Sequence, residues 1–465
     1  MNKYKLFIYV LVMIMLCVSC TSTMDNLYDE MISTQSKDIS QQSSDISQKG
    51  EDISQQSVLS GDLYIVDMYS YFISALVEGF MKEHPGVNII CEYANQDELM
   101  TLTGNINFTE RIRVQLMSRE NTPDIINIAY ILNVVKAADN GLIIDLLPYW
   151  NNDQDIIPEN YFINILELYT YNNGLYAIPS TFSSSFYYLN KRVPESIGIN
   201  FDSLREISAM EILDIYLEAL DEGFIDNEFW LMYGDSGKNS ILGIVLSEFI
   251  CMKDRVAYFN TPEFIEYLEK TNQIPTNVTV FNSGFRNVDT RKFEMDNNSF
   301  MLIEGGSFAH HGYRFNETPD TTAAVLITAS DGGAIINTNM LYVITSSCSY
   351  PELAWEFIKY CILESEEAPA NINRGDFNGD RFSGFWPINK INFSNHLESW
   401  MRDSFSEDIL NQFLRYVEQL TYANPDPGFE LGFLDILSMY YDYGLITAEE
   451  AARQMQERAE IYFSE

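Results

Sequence analysis

Between residues 63 and 139 two hydrophobic periods alternate, and that alternation restricts the possible folds more than any other feature of the chain. Residues 63–68 form a short run of strand-forming side chains. Over residues 71–83, Phe72, Ile73, Leu76, Val77, Phe80 and Met81 fall on one stripe at helical spacing. His84-Pro85-Gly86 ends that helix, because proline cannot continue it, and residues 87–93 read as a second strand. A helix over about 109–119 comes next, then Pro123 and a strand over 124–128. Another helix covers about 131–139 and stops at Asn140-Gly141. This order of elements predicts a parallel sheet joined by right-handed crossovers. In such sheets a ligand sits beyond the carboxyl ends of the strands, here near residues 68–72 and 127–130.

A chain of 465 residues exceeds what a single core organises and predicts two lobes. At 46% hydrophobic and 14% aromatic it has enough apolar material to fill both. What precedes this body is of another kind. Lys3 and Lys5 lead into residues 6–18, an uncharged apolar run that is short of the about 20 residues a membrane span needs. It reads as a secretory signal over residues 1–19. Its end, Val18-Ser19-Cys20, resembles a bacterial lipobox, with Cys17 standing where leucine is usual. That resemblance makes Cys20 a diacylated residue and puts the body on the outer face of the cell membrane. The other reading of the same residues is an ordinary signal peptide with an incidental cysteine.

Residues 20–60 are polar and repeat every seven positions: Asp38-Ile39-Ser40-Gln41, Asp45-Ile46-Ser47-Gln48 and Asp52-Ile53-Ser54-Gln55. One isoleucine per heptad is too little for a coiled coil, which needs two apolar positions. The composition predicts a flexible tether spanning roughly 35 Å root-mean-square.

With 28 basic against 67 acidic residues, the net charge of −39 repels phosphate backbones and excludes nucleic acid as a partner. Cys91, Cys251, Cys348 and Cys361 are widely spaced, with no C-x-x-C pair. They read as buried free thiols with no metal cluster, and a Cys348–Cys361 bridge stays open. Asp376, Asn378 and Asp380 have calcium-loop spacing. Arg381 then replaces the glycine that such a loop needs, and Pro387 its last carboxylate. His310-His311 has no acid or cysteine at ligand spacing. No cofactor is expected. No pair of carboxylates stands out as a glycosidase would require, and there is no G-x-S-x-G nucleophile motif.

Seven stretches, in order, resemble one known family. They are Phe80-Met81-Lys82-Glu83-His84-Pro85-Gly86-Val87, Pro123-Asp124-Ile125-Ile126 and Asn140-Gly141-Leu142-Ile143-Ile144-Asp145-Leu146. Next come Gly174-Leu175-Tyr176-Ala177-Ile178-Pro179 and Tyr187-Tyr188-Leu189-Asn190-Lys191. Ala354-Trp355-Glu356-Phe357-Ile358-Lys359 and Gly444-Leu445-Ile446-Thr447-Ala448-Glu449-Glu450-Ala451-Ala452 complete the set. In the last, Thr447 and Glu450 have the spacing of a capping box. The family is that of the extracellular solute-binding proteins, family 1, the sugar-type substrate-binding proteins of ABC importers that include maltose-binding proteins.

The resemblance implies an α/β, two-lobed, periplasmic-binding-protein-like clamp. Each lobe has a central, mostly parallel sheet flanked by helices, and a hinge joins the two. It divides the body into lobe one, 61–176 plus 325–368, and lobe two, 177–324 plus 369–465. It also implies a monomer that captures a carbohydrate, an oligosaccharide above all, and hands it to the permease subunits of an ABC importer without chemistry. A polyamine or other cationic solute is the alternative ligand. A secreted carbohydrate-active enzyme is the alternative from another class, and a ligand-sensing module without transport is a third.

A sugar cleft pairs aromatic rings, which stack on the C–H faces of the ligand, with carboxylates or amides that meet its hydroxyls. Tyr69, Tyr71, Asn127 and Tyr130 follow the first and third strands, and Phe182 lies just after the crossing at Pro179. Trp230, Tyr233 and Asp235 occupy a stretch comparable to one where the family has a cleft-lining aromatic and acid. Glu304 and Phe308 flank a Gly-Gly turn, with Phe308 standing where the family has tryptophan. Trp386, in Gly384-Phe385-Trp386-Pro387-Ile388 at the third crossing, is the foremost candidate for a stacking ring.

Overall fold

The structure, a computed structural model, describes residues 59–68, 70–95, 98, 102–184, 186–201, 205–227, 229–232, 238–275, 299–303, 322–363, 386–401, 407–423, 429 and 432–464. The signal, Cys20 and nearly all of the tether lie outside these residues, as do His310, His311 and the Asp376–Asp380 loop.

Strand β1 (Ser60–Asp67) pairs in parallel with β2 (Gly86–Tyr93) on one side and β3 (Ile125–Asn127) on the other. Helices α1 (Ser70–Glu83) and α2 (Leu102–Ser118) make the two crossovers, as the alternating periods predict. On α1, Ile73, Leu76, Val77 and Phe80 are buried, and the Phe80 ring meets Phe357 edge-on at 5.4 Å. The third helix begins later than expected, at Val134, because Ile128–Tyr130 first make a 3₁₀ turn. It ends where Gly141 takes φ 61°, a left-handed conformation open to glycine, and Leu142 N–H returns to Ala137 O at 2.9 Å.

The chain then crosses between lobes. Strand β4 (Ile178–Ser184) runs into β5 (Phe186–Asn190), which belongs to the second lobe. There follow β6 (Arg205–Ser208), α3 (Ala209–Asp221), β7 (Trp230–Met232), α4 (Pro262–Asn272), β8 (Ser299–Ile303) and β9 (Thr322–Thr328). Ser208 caps α3 by accepting from Glu211 N at 3.1 Å. Strand β10 (Ala334–Ile344) returns to the first lobe and precedes α5 (Pro351–Ile362) and β11 (Trp386–Pro387). Helices α6 (Lys390–Met401) and α7 (Glu407–Glu418) and strand β12 (Leu420–Ala423) follow. The final helix, α8 (Ala448–Ser464), packs on the second lobe. Only half of its expected capping box forms. Thr447 Oγ1 accepts from Glu450 N at 3.3 Å, while the Glu450 carboxylate turns forward to Arg453 and Gln454.

All twelve strands belong to one ladder-connected sheet. Parallel pairs at β2–β1–β3, β8–β7, β9–β6 and β10–β12 are joined through antiparallel pairs of β5 with β8 and β9 and of β10 with β3 and β4. On the first-lobe strands successive side chains serve opposite faces: Leu63, Ile65, Ile125 and Ile344 enter one core, Val66, Ile126 and Val343 another. A strand buried on both faces needs this continuous apolar run. The second lobe has its own core around Ile212, Tyr216, Phe264, Phe300 and Val325. Between the halves, β9 and β10 share the single ladder pair Thr328↔Ala334.

The third crossing falls later than the sequence boundary at 368. Trp386, Ile388, Phe393, Leu397, Phe413, Tyr416 and Leu420 all pack in the first-lobe core, and the chain passes over between Ala423 and Phe429. Ile178 and Phe182 likewise belong to the first core, beyond its expected end at 176. The reason is pairing at long range, because β11 hydrogen-bonds to β4 and β12 to β10. The four cysteines of the body are free thiols, so Cys348 and Cys361 are not bridged.

Candidate ligand cleft

The carboxyl ends of β1 and β3 lie side by side, and a buried polar tie closes them. Asn127 Nδ2 donates to Asp67 Oδ1 at 3.2 Å, and Asn127 Oδ1 accepts from Leu341 N at 3.0 Å. One side chain therefore joins β1, β3 and β10 at their cleft ends. A carboxylate and an amide without exposure to water require such partners. Burial pushes the Tyr342 phenol and the Cys361 thiol well above their ordinary ranges, and the nearby Asp67 adds to both shifts. Neither group is charged at neutral pH. The tie fixes Asn127, the last residue of β3, against β1 and β10.

After these strand ends, Tyr71 falls in the first turn of α1 and Tyr130 ends the 3₁₀ turn that follows β3. Because β1 and β3 are adjacent and parallel, these two segments leave the sheet as neighbours. Asn127 is committed to the strand tie, so it positions the segment that carries Tyr130. Beside them, the Tyr93 hydroxyl at the end of β2 lies 3.3 Å from Ser74 Oγ. From the second lobe, Trp230 opens β7 and pairs with Ser299 of β8. Tyr69, Tyr233, Asp235, Glu304 and Phe308 lie outside the described residues.

Two expected rings are placed elsewhere. Phe182 is 0% and Trp386 1% exposed. Their strands pair at Trp386↔Phe182, and the rings enter an aromatic cluster with Phe162, Phe393 and Phe413. Trp386 packs at 5.1 Å from Phe393 and 5.1 Å from Phe413, which leaves no face for a ligand. These rings hold the crossing together from inside. Sequence reasoning also missed Tyr169, whose hydroxyl lies 2.6 Å from Thr338 Oγ1 on β10 next to the crossing. Nothing in its local sequence marks it, because its partner lies far along the chain.

Among the described residues no group of three or more His, Cys, Asp and Glu is placed to hold a metal ion. No helix among them is long and apolar enough to cross a membrane.

No family model matches the chain, and no curated protein is similar enough to count as a relative. Solved structures do match, over most of its length. A cyclic α-maltosyl-1,6-maltose binding protein from Arthrobacter globiformis is 16% identical, covers 87% of this chain and 99% of its own, and superposes with a TM-score of 0.56. The sugar-binding protein of the phytopathogen Xanthomonas citri is 11% identical, with 87% and 98% covered and a TM-score of 0.59. An extracellular solute-binding protein of family 1 from Alicyclobacillus acidocaldarius is 15% identical, with 88% and 100% covered and a TM-score of 0.54. Two of these neighbours are thus sugar-binding proteins and the third a solute-binding protein, and what the chain shares with them is the two-lobed fold.

Proposed function

We propose, from the fold shared with these sugar-binding proteins, that the chain captures a carbohydrate outside the membrane and delivers it to an ABC importer. The oligosaccharides bound by such neighbours make an oligosaccharide the favoured ligand. The observation that carries the reading is the pairing of that fold with two adjacent strand ends, of β1 and β3, whose following segments carry Tyr71 and Tyr130. Rings on such segments stack on a sugar, and residues of the second lobe around Trp230 close over it. The protein does no chemistry on the ligand. Binding favours the closed clamp, and the permease reads the closure.

A thermal-shift screen tests this. A matched oligosaccharide at about a hundred times its dissociation constant adds about 2.7 kcal/mol to the native state. In a molecule of this size that raises Tm by about 3 °C. A rise with polyamines and none with sugars would replace the ligand class, and release of cleaved product would make the protein an enzyme.

For location, the signal-like start and Cys20 support a lipid anchor with residues 20–60 as its tether. Cys20→Ser should move the protein from the membrane fraction to the medium. Retention on membranes after that change would remove the anchor.

A further inference from the structure

Away from the three chain crossings, one polar cluster bridges the two lobes. Its centre is Arg255, at the end of the tight turn between the paired segments Ile250–Cys251 and Val256–Ala257 of the second lobe. The Arg255 guanidinium makes an ion pair with Asp139, the last residue of the first-lobe helix Val134–Asp139. It also lies 5.5 Å from the centroid of the Tyr171 ring, which belongs to the first-lobe ribbon Thr170–Tyr171 and Gly174–Leu175. Two residues earlier, Lys253 Nζ donates to the Glu167 carbonyl at 3.3 Å. In the opposite direction, Lys136 of the first lobe places its ammonium 3.5 Å from the centre of the Tyr462 ring, near the end of α8.

Three features give this cluster the character of a latch. The backbone of Arg255 is held at φ 56°, a region that residues with a side chain rarely adopt, so the turn is shaped to present this side chain outward. The bridging groups are charged or aromatic and remain partly exposed. They separate into water at small cost, unlike an apolar interface. The lobes are otherwise tied at the crossings, where β9 and β10 share one ladder pair, and rotation there must open or close the cluster.

We propose that Arg255, through Asp139 and Tyr171, latches the two lobes in the arrangement seen here and thereby sets the balance between lobe arrangements before any ligand arrives. The proposal rests on the clamp reading of the fold, but not on the identity of the ligand. Whatever binds one arrangement better is coupled to the latch, and a residue far from the ligand then shifts its apparent affinity.

The test is small-angle X-ray scattering of the ligand-free protein in low salt, comparing wild type, Arg255→Ala, Asp139→Asn and the double variant. Each single variant should change the ratio of lobe arrangements by up to about fivefold, seen as a shift in the radius of gyration. The double variant should shift no further than the singles, because both remove the same contact. Wild type in about 1 M salt, where charges are screened within about 3 Å, should move the same way without any substitution. Arg453→Ala breaks ion pairs inside α8 alone and should leave the scattering unchanged. Coincident profiles for wild type and the folded Arg255 and Asp139 variants would overturn the latch. So would a salt response that the variants retain in full, which would place the controlling charges elsewhere. Absence of sugar binding would remove the proposed function and leave this result standing.

Discussion

Trp386→Ala should lower the stability of the folded chain by about 3–5 kcal/mol, the range for emptying a large aromatic site in a packed core. The indole is 1% exposed, and its neighbours Phe182, Phe393 and Phe413 come from three different elements. They cannot all collapse into the space, so the cavity cost adds to the lost transfer energy. Chemical denaturation reads the effect as a lower midpoint at an unchanged slope. A ring that stacked on ligand would behave in the opposite way, with native stability kept and affinity lost. An unchanged midpoint in Trp386→Ala would therefore return this residue to the cleft.

The second large effect belongs to Lys359 on α5. Its side chain is 9% exposed, and its ammonium meets Asp153 at 3.0 Å, Asp155 at 3.0 Å and Glu356 at 2.9 Å. Asp153, 11% exposed, also accepts from Trp355 Nε1 at 2.8 Å. Lys359→Met keeps the length of the side chain and leaves the buried Asp153 carboxylate without its cation, at about 3–5 kcal/mol. Adding Asp153→Asn should recover a good part of that loss, since the uncompensated charge disappears with it. A double variant no more stable than Lys359→Met would show that packing, not charge, sets the cost.

The pH dependence has two edges of opposite sign. Burial alone would raise the Asp153 pKa, but the Trp355 and Asp155 N–H groups and Lys359 outweigh it and hold it below the ordinary 3.8. Its contribution is present above 3.8 and is lost as pH falls through the lower folded value. For Lys359, burial works against the charge, yet Glu356, Asp155 and Asp153 hold its pKa above 10.5. That contribution is full below 10.5 and is lost as pH rises through the folded value. Lys359→Met should remove this residue's share of the alkaline edge and make acid unfolding less steep.

The local periods of residues 60–139 were legible because each element there repeats its apolar residues at its own spacing, whatever partner covers them. Ile73, Leu76, Val77 and Phe80 needed only the stripe, and the helix stop at Asn140-Gly141 needed only the left-handed glycine. Trp386 was misread for the converse reason. Its environment is made by Phe182 on one side and Phe413 on the other, and no window of sequence contains all three. The same holds for Tyr169 with Thr338, and for Arg255 with Asp139. The stretch Ala354–Lys359 was recognisable as a motif, but that Trp355 and Lys359 converge on Asp153 is visible only in the folded chain.

The late third crossing has a consequence for how the protein is made. The first core needs Leu63 and Leu420, and the second needs Tyr187 and Met455, so the two are interleaved along the chain. A nascent chain that has emerged as far as α5 can complete neither, because both wait for segments synthesised last. Such non-local closure is slow relative to local collapse. The interleaving that joins the two halves thus also ties the completion of each core to the last segments of the chain.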